Sequence, residues 1–370
     1  MKKIITTLLI FILALSSCAF AASEFDETWL VTSDTTAKGA AGNVFAELVR
    51  DKVKAADAGL VIDYFPNGEL GGDADLLRQA QKGYIAIMVC QTAPIVSFIP
   101  EVAVFDLPMV FARYDGDTID EVLNGDSEFH KKMSEAYERA GLHLLGFMQN
   151  ATYRLATANK NLETLTDFKG LQIRTMENKN HMDFWTAIGA EPTPLAWAEL
   201  YISLQNGTVN AQENAADTCA SAHFDEVQKY LACTNHILYC NQMCINDKIY
   251  KALKPEHREV LNKAVAEALQ EMRPKLDDID KSNKAKLEKG GMTIIEYDNS
   301  FFSDVLNVQG VKDLYKRIDN ATNGLASTLE KSLAEVAEAR KPVEAPAPVE
   351  EVKEPAPAEA VEAPEEAKTE

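Results

Sequence analysis

Residues 60–89 read LVIDYFPNGELGGDADLLRQAQKGYIAIMV, and this stretch decides the fold class. The apolar run 60–65 predicts a strand that ends at the turn-forming residues 66–68, Pro-Asn-Gly. A helix is expected over 74–82, because Gly83 can adopt the left-handed conformation that ends many helices. The apolar run after it predicts a buried parallel strand, so the stretch forms a βαβ unit.

The alternation of strand and helix continues on both sides of this unit. The further strands are expected at residues 29–32, 84–89, 142–148, 153–157, 171–176, 208–212, 236–244 and 292–297. The further helices are expected at residues 40–55, 179–188, 197–205, 216–231, 255–289 and 311–339. This order predicts an α/β protein whose sheets are mostly parallel and carry helices on both faces. The pattern therefore indicates two α/β lobes with a ligand cleft beyond the strand ends.

The N-terminus indicates export. Lys2 and Lys3 precede an apolar run over 4–15, which is too short to span a bilayer with its flanks. We expect a signal peptide over 1–21, and the alternative is a lipoprotein signal over 1–17 with Cys18 as the lipid acceptor. Either cleavage places the protein outside the cytoplasmic membrane, in the periplasm.

The C-terminal segment 341–370 differs from the rest of the chain. It contains six prolines, nine glutamates and no aromatic residue, so it cannot bury enough apolar area to offset its ordering entropy. We expect a disordered acidic tail. The whole chain carries a net charge of −20, which argues against nucleic acid and anionic lipid as partners.

No enzyme motif is recognisable. The sequence lacks a Gly-x-Ser-x-Gly elbow, a phosphate-binding glycine loop and a His-Glu-x-x-His zinc motif. We therefore expect a protein that is not an enzyme and that binds neither a cofactor nor a metal ion.

A group of cysteines near the second half of the chain offers two alternatives. Four potential zinc ligands follow one another closely: Cys233, His236, Cys240 and Cys244. Side chains alternate along a strand and would not converge on a metal ion, so a zinc site is disfavoured. A disulfide among Cys219, Cys233, Cys240 and Cys244 is expected in an oxidising compartment.

Five motifs occur in order along the chain. They are FPNGELG at 65–71, AVFDLP at 103–108, DFKGLQIR at 167–174, GAEPTP at 189–194 and ELYISLQNG leading into QEN over 199–214. With these motifs the chain resembles the DctP-type solute-binding receptors of tripartite ATP-independent periplasmic (TRAP) transporters. The similarity covers residues from about 29 to 334.

The resemblance implies a two-lobe periplasmic-binding-protein-like fold with mostly parallel mixed sheets, hinge strands and a long connecting helix. Lobe 1 is expected over 25–151 and 240–279, and lobe 2 over 152–239 and 280–339. Such a receptor is a monomer that closes on a small carboxylated organic acid and passes it to an integral-membrane permease. Uptake is then driven by an ion gradient without ATP. A sugar acid or similar monocarboxylate is favoured, and a C4-dicarboxylate stays possible.

Arg174 is the first candidate for ligand binding. It ends a predicted strand, where Leu171 and Ile173 point to one face and Arg174 to the other. A guanidinium offers two parallel donors that match a carboxylate. The resemblance supports the same role, and it adds Arg154 as a second arginine, with a structural pairing to an acidic residue as the alternative. It also adds Asn214, which we place at the start of a helix.

Three weaker candidates complete the predicted site. The resemblance places Trp197 at an aromatic wall of the pocket, although a core position is equally consistent with a tryptophan on a helix. Gln91 matches a ligand-contacting position that is acidic in sialic-acid receptors of this type. Glu177 lies just past the arginine motif. A competing function is a sensory protein that presents the same solute to a receptor kinase.

Overall fold

The structure is a computed structural model that describes residues 27–36, 38–149 and 152–340. The expected signal peptide, the lipid acceptor Cys18 and the acidic tail 341–370 lie outside the described residues. Within the described part, no helix combines the length and the apolar character that a bilayer span requires.

Strands and helices alternate through most of the chain. The strands are β1 Thr28–Asp34, β2 Leu60–Phe65, β3 Ile87–Gln91, β4 Leu142–Met148, β5 Leu155–Ala158, β6 Gln172–Thr175, β7 Glu191–Pro194, β8 Ala211–Asn214, β9 Tyr230–Ala232, β10 Asn241–Asn246 and β11 Thr293–Ile295. The α-helices are α1 Ala41–Ala55, α2 Asp73–Lys82, α3 Gly116–Asn124, α4 Glu128–Arg139, α5 Lys179–Ala187, α6 Trp197–Gln205, α7 Ala216–Ser221, α8 Asp247–Ala252, α9 Pro255–Lys289, α10 Asn299–Asn307, α11 Gln309–Ala321 and α12 Leu325–Ala339.

The strands form two mixed sheets. The first has the order β2-β1-β3-β10-β4, and the second has the order β11-β9-β5-β8-β6-β7. In each sheet one strand is antiparallel to both neighbours, namely β10 in the first and β5 in the second. The chain enters each of them directly after crossing from the other sheet, as it also does β11, which pairs in parallel with β9. The expected α/β fold with two mixed sheets is therefore confirmed.

The motif that opens the sequence analysis folds as expected. Strand β2 pairs in parallel with β1, and β3 pairs in parallel with β1 on its other side. Helix α2 ends at Gly83, which has a φ of 77° in the left-handed region. Residues Ile87 to Cys90 of β3 are fully buried, because the sheet is covered on both faces.

The helices join the two sheets into one body. Helix α9 packs against α1 and against α7, and α11 packs against α5. Helix α12 packs against α3 and α4, which belong to the part of the chain that forms the first sheet. The lobe boundaries given above remain a prediction, but these contacts place the last helix next to the expected first lobe.

Two of the expected helices are wrong in extent. The helix expected over 311–339 is interrupted at Asn323 and Gly324, whose φ values of 53° and 80° are incompatible with a right-handed helix. The apolar residues recur with the helical period both before and after the break, so this period could not show where the first helix ends. The helix expected over 216–231 ends at Ser221, and part of its remainder forms β9 in the second sheet.

Several strand positions also differ from the expected ones. The strand expected over 208–212 lies at 211–214, and the one expected over 236–244 lies at 241–246. Tyr153, which was expected to start β5, makes only an isolated bridge to Leu238. The first and last residues of a strand are set by the residues with which it forms hydrogen bonds, and the apolar pattern of the sequence does not identify those partners.

All five cysteines of the described residues are free and buried, so the expected disulfide is wrong. Cys240 and Cys244 are four residues apart in a largely extended segment, a span of about 13 Å, whereas bridged cysteines have Cα atoms within about 7 Å. Burial raises the pKa of Cys219 and of Cys244 to about 12, so little reactive thiolate is present at neutral pH.

A thiol titration of the mature protein tests this arrangement. We expect five thiols per chain to react in denaturant and none to react rapidly under native conditions, because each sulfur is shielded by the core. Two fewer thiols in denaturant without reductant would demonstrate a disulfide and contradict the structure.

Candidate functional site

Three of the six predicted site residues converge where the two sheets meet. Gln91 ends β3 of the first sheet, Arg154 directly precedes β5 of the second, and Asn214 ends β8. Nη1 of Arg154 donates a hydrogen bond to Oε1 of Gln91 at 2.5 Å, and Nη2 donates to Oδ1 of Asn214 at 3.0 Å. The guanidinium of Arg154 therefore links the two sheets through side chains.

Most hydrogen bonds of Arg154 go to Glu213, a residue that was not among the predicted site residues. Its Nε donates to Oε2 of Glu213, and its Nη2 donates to Oε1 of Glu213 at 3.0 Å and to the Glu213 carbonyl oxygen at 2.9 Å. Both side chains are buried. This pairing is the structural alternative considered above, and it neutralises the charge of Arg154 locally.

Arg174 donates fewer hydrogen bonds to other protein groups than Arg154 does. It lies in β6, is 3% exposed, and its Nε donates to the carbonyl oxygen of Leu195 at 2.9 Å. Within residues 27–36, 38–149 and 152–340, its Nη1 and Nη2 have no acceptor. These two donors are therefore not satisfied by the described residues.

The electrostatic environment of Arg174 follows from its burial. Burial lowers the pKa of Arg174 to about 10; the carboxylate of Glu213 opposes this shift, and the positive charge of Arg154 adds to it. The guanidinium is still protonated at neutral pH. The sequence placed Arg174 at the edge of a cleft, whereas the structure leaves only 3% of it exposed.

Trp197 forms a wall beside Arg174. It is the first residue of α6, and the centroid of its ring lies 5.9 Å from Cζ of Arg174. The edge of the ring contacts Phe224 with centroids 5.8 Å apart, yet 48% of the side chain is exposed. This exposure contradicts the core position given above, whereas the place of Trp197 at an aromatic wall of the ligand pocket stays a prediction.

The position of Asn214 corrects the sequence analysis. Asn214 is the last residue of β8 and pairs with Leu155 of β5, whereas the first residue of the following helix is Ala216. The expectation that Asn214 lies at the start of a helix is therefore wrong. Its Nδ2 instead donates to Oε1 of Gln212 at 2.8 Å, which fixes the amide so that Oδ1 faces Arg154.

Glu177 lies apart from the other five residues. It is exposed and lines a cavity of about 390 Å³ together with the 3-10 segment Ala93–Ser97 and with Arg317 of α11. None of the hydrogen bonds or ion pairs among the described residues joins Glu177 to either arginine. The structure thus separates it from the arginine cluster.

A network of buried charges, which sequence reasoning missed, lies behind Arg154. Glu213 accepts contacts from His181 at 3.3 Å and from His236 at 3.2 Å, and His181 also contacts Asp106 at 3.1 Å. Burial alone would raise the pKa of Glu213, but the charges of Arg154 and His181 hold it well below the usual range. Asp106 lies in the motif AVFDLP and Glu213 in the motif QEN, so the quoted motifs could have pointed to both residues.

Several buried polar atoms beside the cluster have no hydrogen-bond partner among the described residues. They are the side-chain hydroxyls of Thr36, Tyr153 and Thr175 and both amide atoms of Asn241. Asn241 pairs with Gln91 across the sheet and lies near Thr36 at Gly42, whereas Thr175 follows Arg174 in β6 and points to the opposite face. Unsatisfied buried polar atoms are uncommon in native proteins, and these four side chains account for five of the twelve such atoms among the described residues.

The meeting of two α/β sheets at these side chains agrees with the comparisons. The profile of DctP, the bacterial extracellular solute-binding protein family 7, matches residues 29–320. The chain belongs to this family. The family is made up of solute-binding proteins, so the expected class, a transport receptor and not an enzyme, is confirmed.

Two curated relatives show the extent of the similarity. The 2,3-diketo-L-gulonate-binding periplasmic protein YiaO of Escherichia coli is 27% identical over 285 residues, which cover 77% of this chain and 84% of the relative. A solute-binding protein of Verminephrobacter eiseniae is 28% identical over 265 residues, covering 72% of this chain and 77% of the relative.

A solved structure shares the fold. It is a TRAP periplasmic solute-binding protein from Polaromonas sp. JS666 bound to D-erythronate, 28% identical with a TM-score of 0.73. The match covers 82% of this chain and 98% of that one. Family membership places the chain among extracytoplasmic solute-binding proteins, in agreement with the export expected from its N-terminus.

The metal alternative gains no support from the described residues. They contain no group of three or more His, Cys, Asp or Glu side chains that could hold a metal ion. Cys240 lies before β10 and Cys244 within it, and Cys233 packs in a separate apolar cluster.

Proposed function

We propose that this receptor captures a small carboxylated organic acid between its two sheets and delivers it to an ion-gradient-driven TRAP permease. The observation that carries the proposal is the guanidinium of Arg174, whose Nη1 and Nη2 have no acceptor among the described residues although the side chain is buried. Two parallel N–H donors at these positions match the two oxygens of a carboxylate.

The other arginine is assigned a different role. Arg154 already donates to Glu213, Gln91 and Asn214, so it orients the amides that face the ligand and contributes little free positive charge. One carboxylate on Arg174 is therefore compensated, whereas a second carboxylate would have no second free arginine in this cluster. This asymmetry favours a monocarboxylate over a C4-dicarboxylate.

The remaining contacts are argued to bind hydroxyl groups and apolar carbon. Micromolar affinity requires about 8 kcal/mol, and one charged hydrogen bond contributes only about 1.5 to 3 kcal/mol. The unpartnered hydroxyl of Thr36 and the amide of Asn241, which lie on the side of Gln91, can pair with a polyhydroxylated chain. The exposed face of Trp197 can cover its C–H groups. A sugar acid satisfies all of these contacts.

The relatives support this ligand class. One is named for 2,3-diketo-L-gulonate, and the Polaromonas structure contains D-erythronate; both are hydroxylated monocarboxylates. The same relatives favour a transport partner over a receptor kinase. We therefore propose a periplasmic monomer that docks on the integral-membrane permease subunits and uses no ATP. Lipid anchoring through Cys18 stays a prediction.

A thermal-shift screen of the mature protein tests the proposal. Sugar acids such as D-erythronate and D-galacturonate, each at a hundredfold excess over its Kd, should add about 2.7 kcal/mol to the free energy of unfolding. The matching neutral sugar alcohols should have no effect, because they leave the Arg174 guanidinium without a carboxylate. If no organic anion in a broad library raises the melting temperature, the proposed function is wrong.

A further inference from the structure

Four buried charged groups form a chain that leads away from the ligand site. In order they are Arg154, Glu213, His181 and Asp106, and each side chain is at most 2% exposed. Oε1 of Glu213 lies 3.3 Å from Nδ1 of His181, and Oδ1 of Asp106 lies 3.1 Å from Nε2 of the same ring. Positive and negative groups alternate along it. Both ring nitrogens of His181 therefore face a carboxylate.

The chain joins elements that belong to different sheets. Asp106 ends the 3-10 segment Pro100–Asp106, which follows β3 of the first sheet, whereas His181 lies in α5, which follows β6 of the second. The other oxygen of Asp106, Oδ2, accepts from Nδ2 of Asn178 and from Nδ2 of Asn180, each at 2.9 Å. The first turn of α5 thus holds the Asp106 carboxylate at three points.

Charge balance requires a proton on His181. Arg154 and His181 are the cations in direct contact with Glu213 and Asp106, because Arg174 acts on Glu213 through space and makes no ion pair with it. A neutral His181 would leave the buried Asp106 without a cationic contact. His236 does not replace it. Its Nε2 contacts Glu213 at 3.2 Å and its Nδ1 contacts the hydroxyl of Thr234 at 2.8 Å, and a single neutral tautomer satisfies both bonds.

We propose that His181 is a positioning residue of the ligand site, an imidazolium that clamps Glu213 to Asp106 and thereby fixes the guanidinium of Arg154 against Gln91 and Asn214. The clamp acts on the ligand through other side chains, since His181 is fully buried behind Glu213. The effect on affinity rests on the proposed function, whereas the charge state of His181 can be measured without any ligand.

The titration of His181 agrees with this geometry. Burial alone would lower its pKa, but Glu213 and Asp106 raise the pKa to about 9. The charged and titratable groups that face it are Asp106, Glu213, Arg154 and His236, of which burial lowers the pKa of His236. Because the pKa of His181 is raised on folding, its stabilising effect is complete below pH of about 6.5 and is lost as the pH rises through about 9.

The first test uses the ligand-free protein. In NMR titrations of protein with labelled histidines, the signal that disappears in His181→Gln should titrate well above pH 8, while that of His143 should not. His143 is a useful internal reference because burial lowers its pKa and its ring stacks on Tyr250. A neutral His181 at pH 7 would overturn the proposal whatever the ligand.

The second test separates positioning from general stability. D-erythronate is the probe, and the variants are His181→Gln, Asp106→Asn, the double variant and the control His143→Gln. We expect a loss of affinity of about tenfold for each single clamp variant. The double variant should show no further loss, because both substitutions break the same contact between His181 and Asp106. Melting temperatures are measured in parallel on all variants.

A purely structural role would give a different result. It would lower the melting temperature of the clamp variants and leave their affinity and its pH profile unchanged, which would overturn the proposal. Wild-type protein that binds no organic anion would instead contradict the proposed function, and the NMR titration would still decide the state of His181. Should His181→Gln fail to fold, Asp106→Asn and the wild-type pH profile provide the same comparison.

Discussion

Replacing Arg174 with lysine is expected to weaken the binding of an organic acid by at least about tenfold, and replacing it with alanine by about a hundredfold or more. Lysine keeps the charge but presents a single ammonium, so it cannot make two parallel bonds to a carboxylate. Alanine removes the charge as well and leaves the bound anion in a buried environment without compensation. Titration calorimetry with the acid that gives the largest thermal shift measures both losses.

The matched control for this prediction is Arg78→Lys. Arg78 is half exposed and pairs with the exposed Asp75 at 2.6 Å, so its replacement should change neither affinity nor stability measurably. The variants of Arg174 should retain the wild-type fold, since only its Nε is bonded to the protein. Unchanged affinity in Arg174→Lys would show that this guanidinium does not bind the ligand.

Glu213→Gln is expected to give the largest loss of stability, about 3 to 5 kcal/mol in the free energy of unfolding. The substitution keeps the shape of the side chain but removes the charge that compensates Arg154 and His181, and a buried charge without a partner is costly. Urea denaturation at pH 7 measures the loss. The control is Asp75→Asn, which breaks the exposed pair with Arg78 and should change the stability little.

The pH dependence of the same variant provides a second readout. The pKa of Glu213 is held below its ordinary value in the folded protein, so its stabilising effect is present above pH of about 4.5 and is lost as the pH falls. Stability of the wild type should therefore decrease below pH 4.5 more steeply than that of Glu213→Gln. Equal stability of both proteins at pH 7 would contradict a charged Glu213.

The anchor of the site was accessible from the sequence for a physical reason. The alternation of side chains in a strand and the donor geometry of a guanidinium are local properties, and both apply to Arg174 before any fold is known. The family resemblance added Arg154, Asn214 and Gln91, and the structure brings these three together.

The residues that form hydrogen bonds and ion pairs with this group could not be predicted from the sequence. Glu213, His181 and Asp106 are 32 to 107 residues apart, and only the pairing of β5 with β8 and the packing of α5 place them in contact. The sequence likewise gave no indication that Glu177 would lie on a separate cavity, or that five cysteines would remain free.

The sequence by itself determined the class of fold, the two-part organisation and the choice of Arg174 as the proposed carboxylate-binding residue, because hydrophobic period and side-chain chemistry are local. Only the tertiary structure decided which arginine keeps free donors and which is neutralised, where the helix at Asn323 breaks, and how the buried charges compensate one another. These features depend on long-range contacts, since the energy of a buried charge or of a strand end is set by the groups around it and not by its neighbours in the chain.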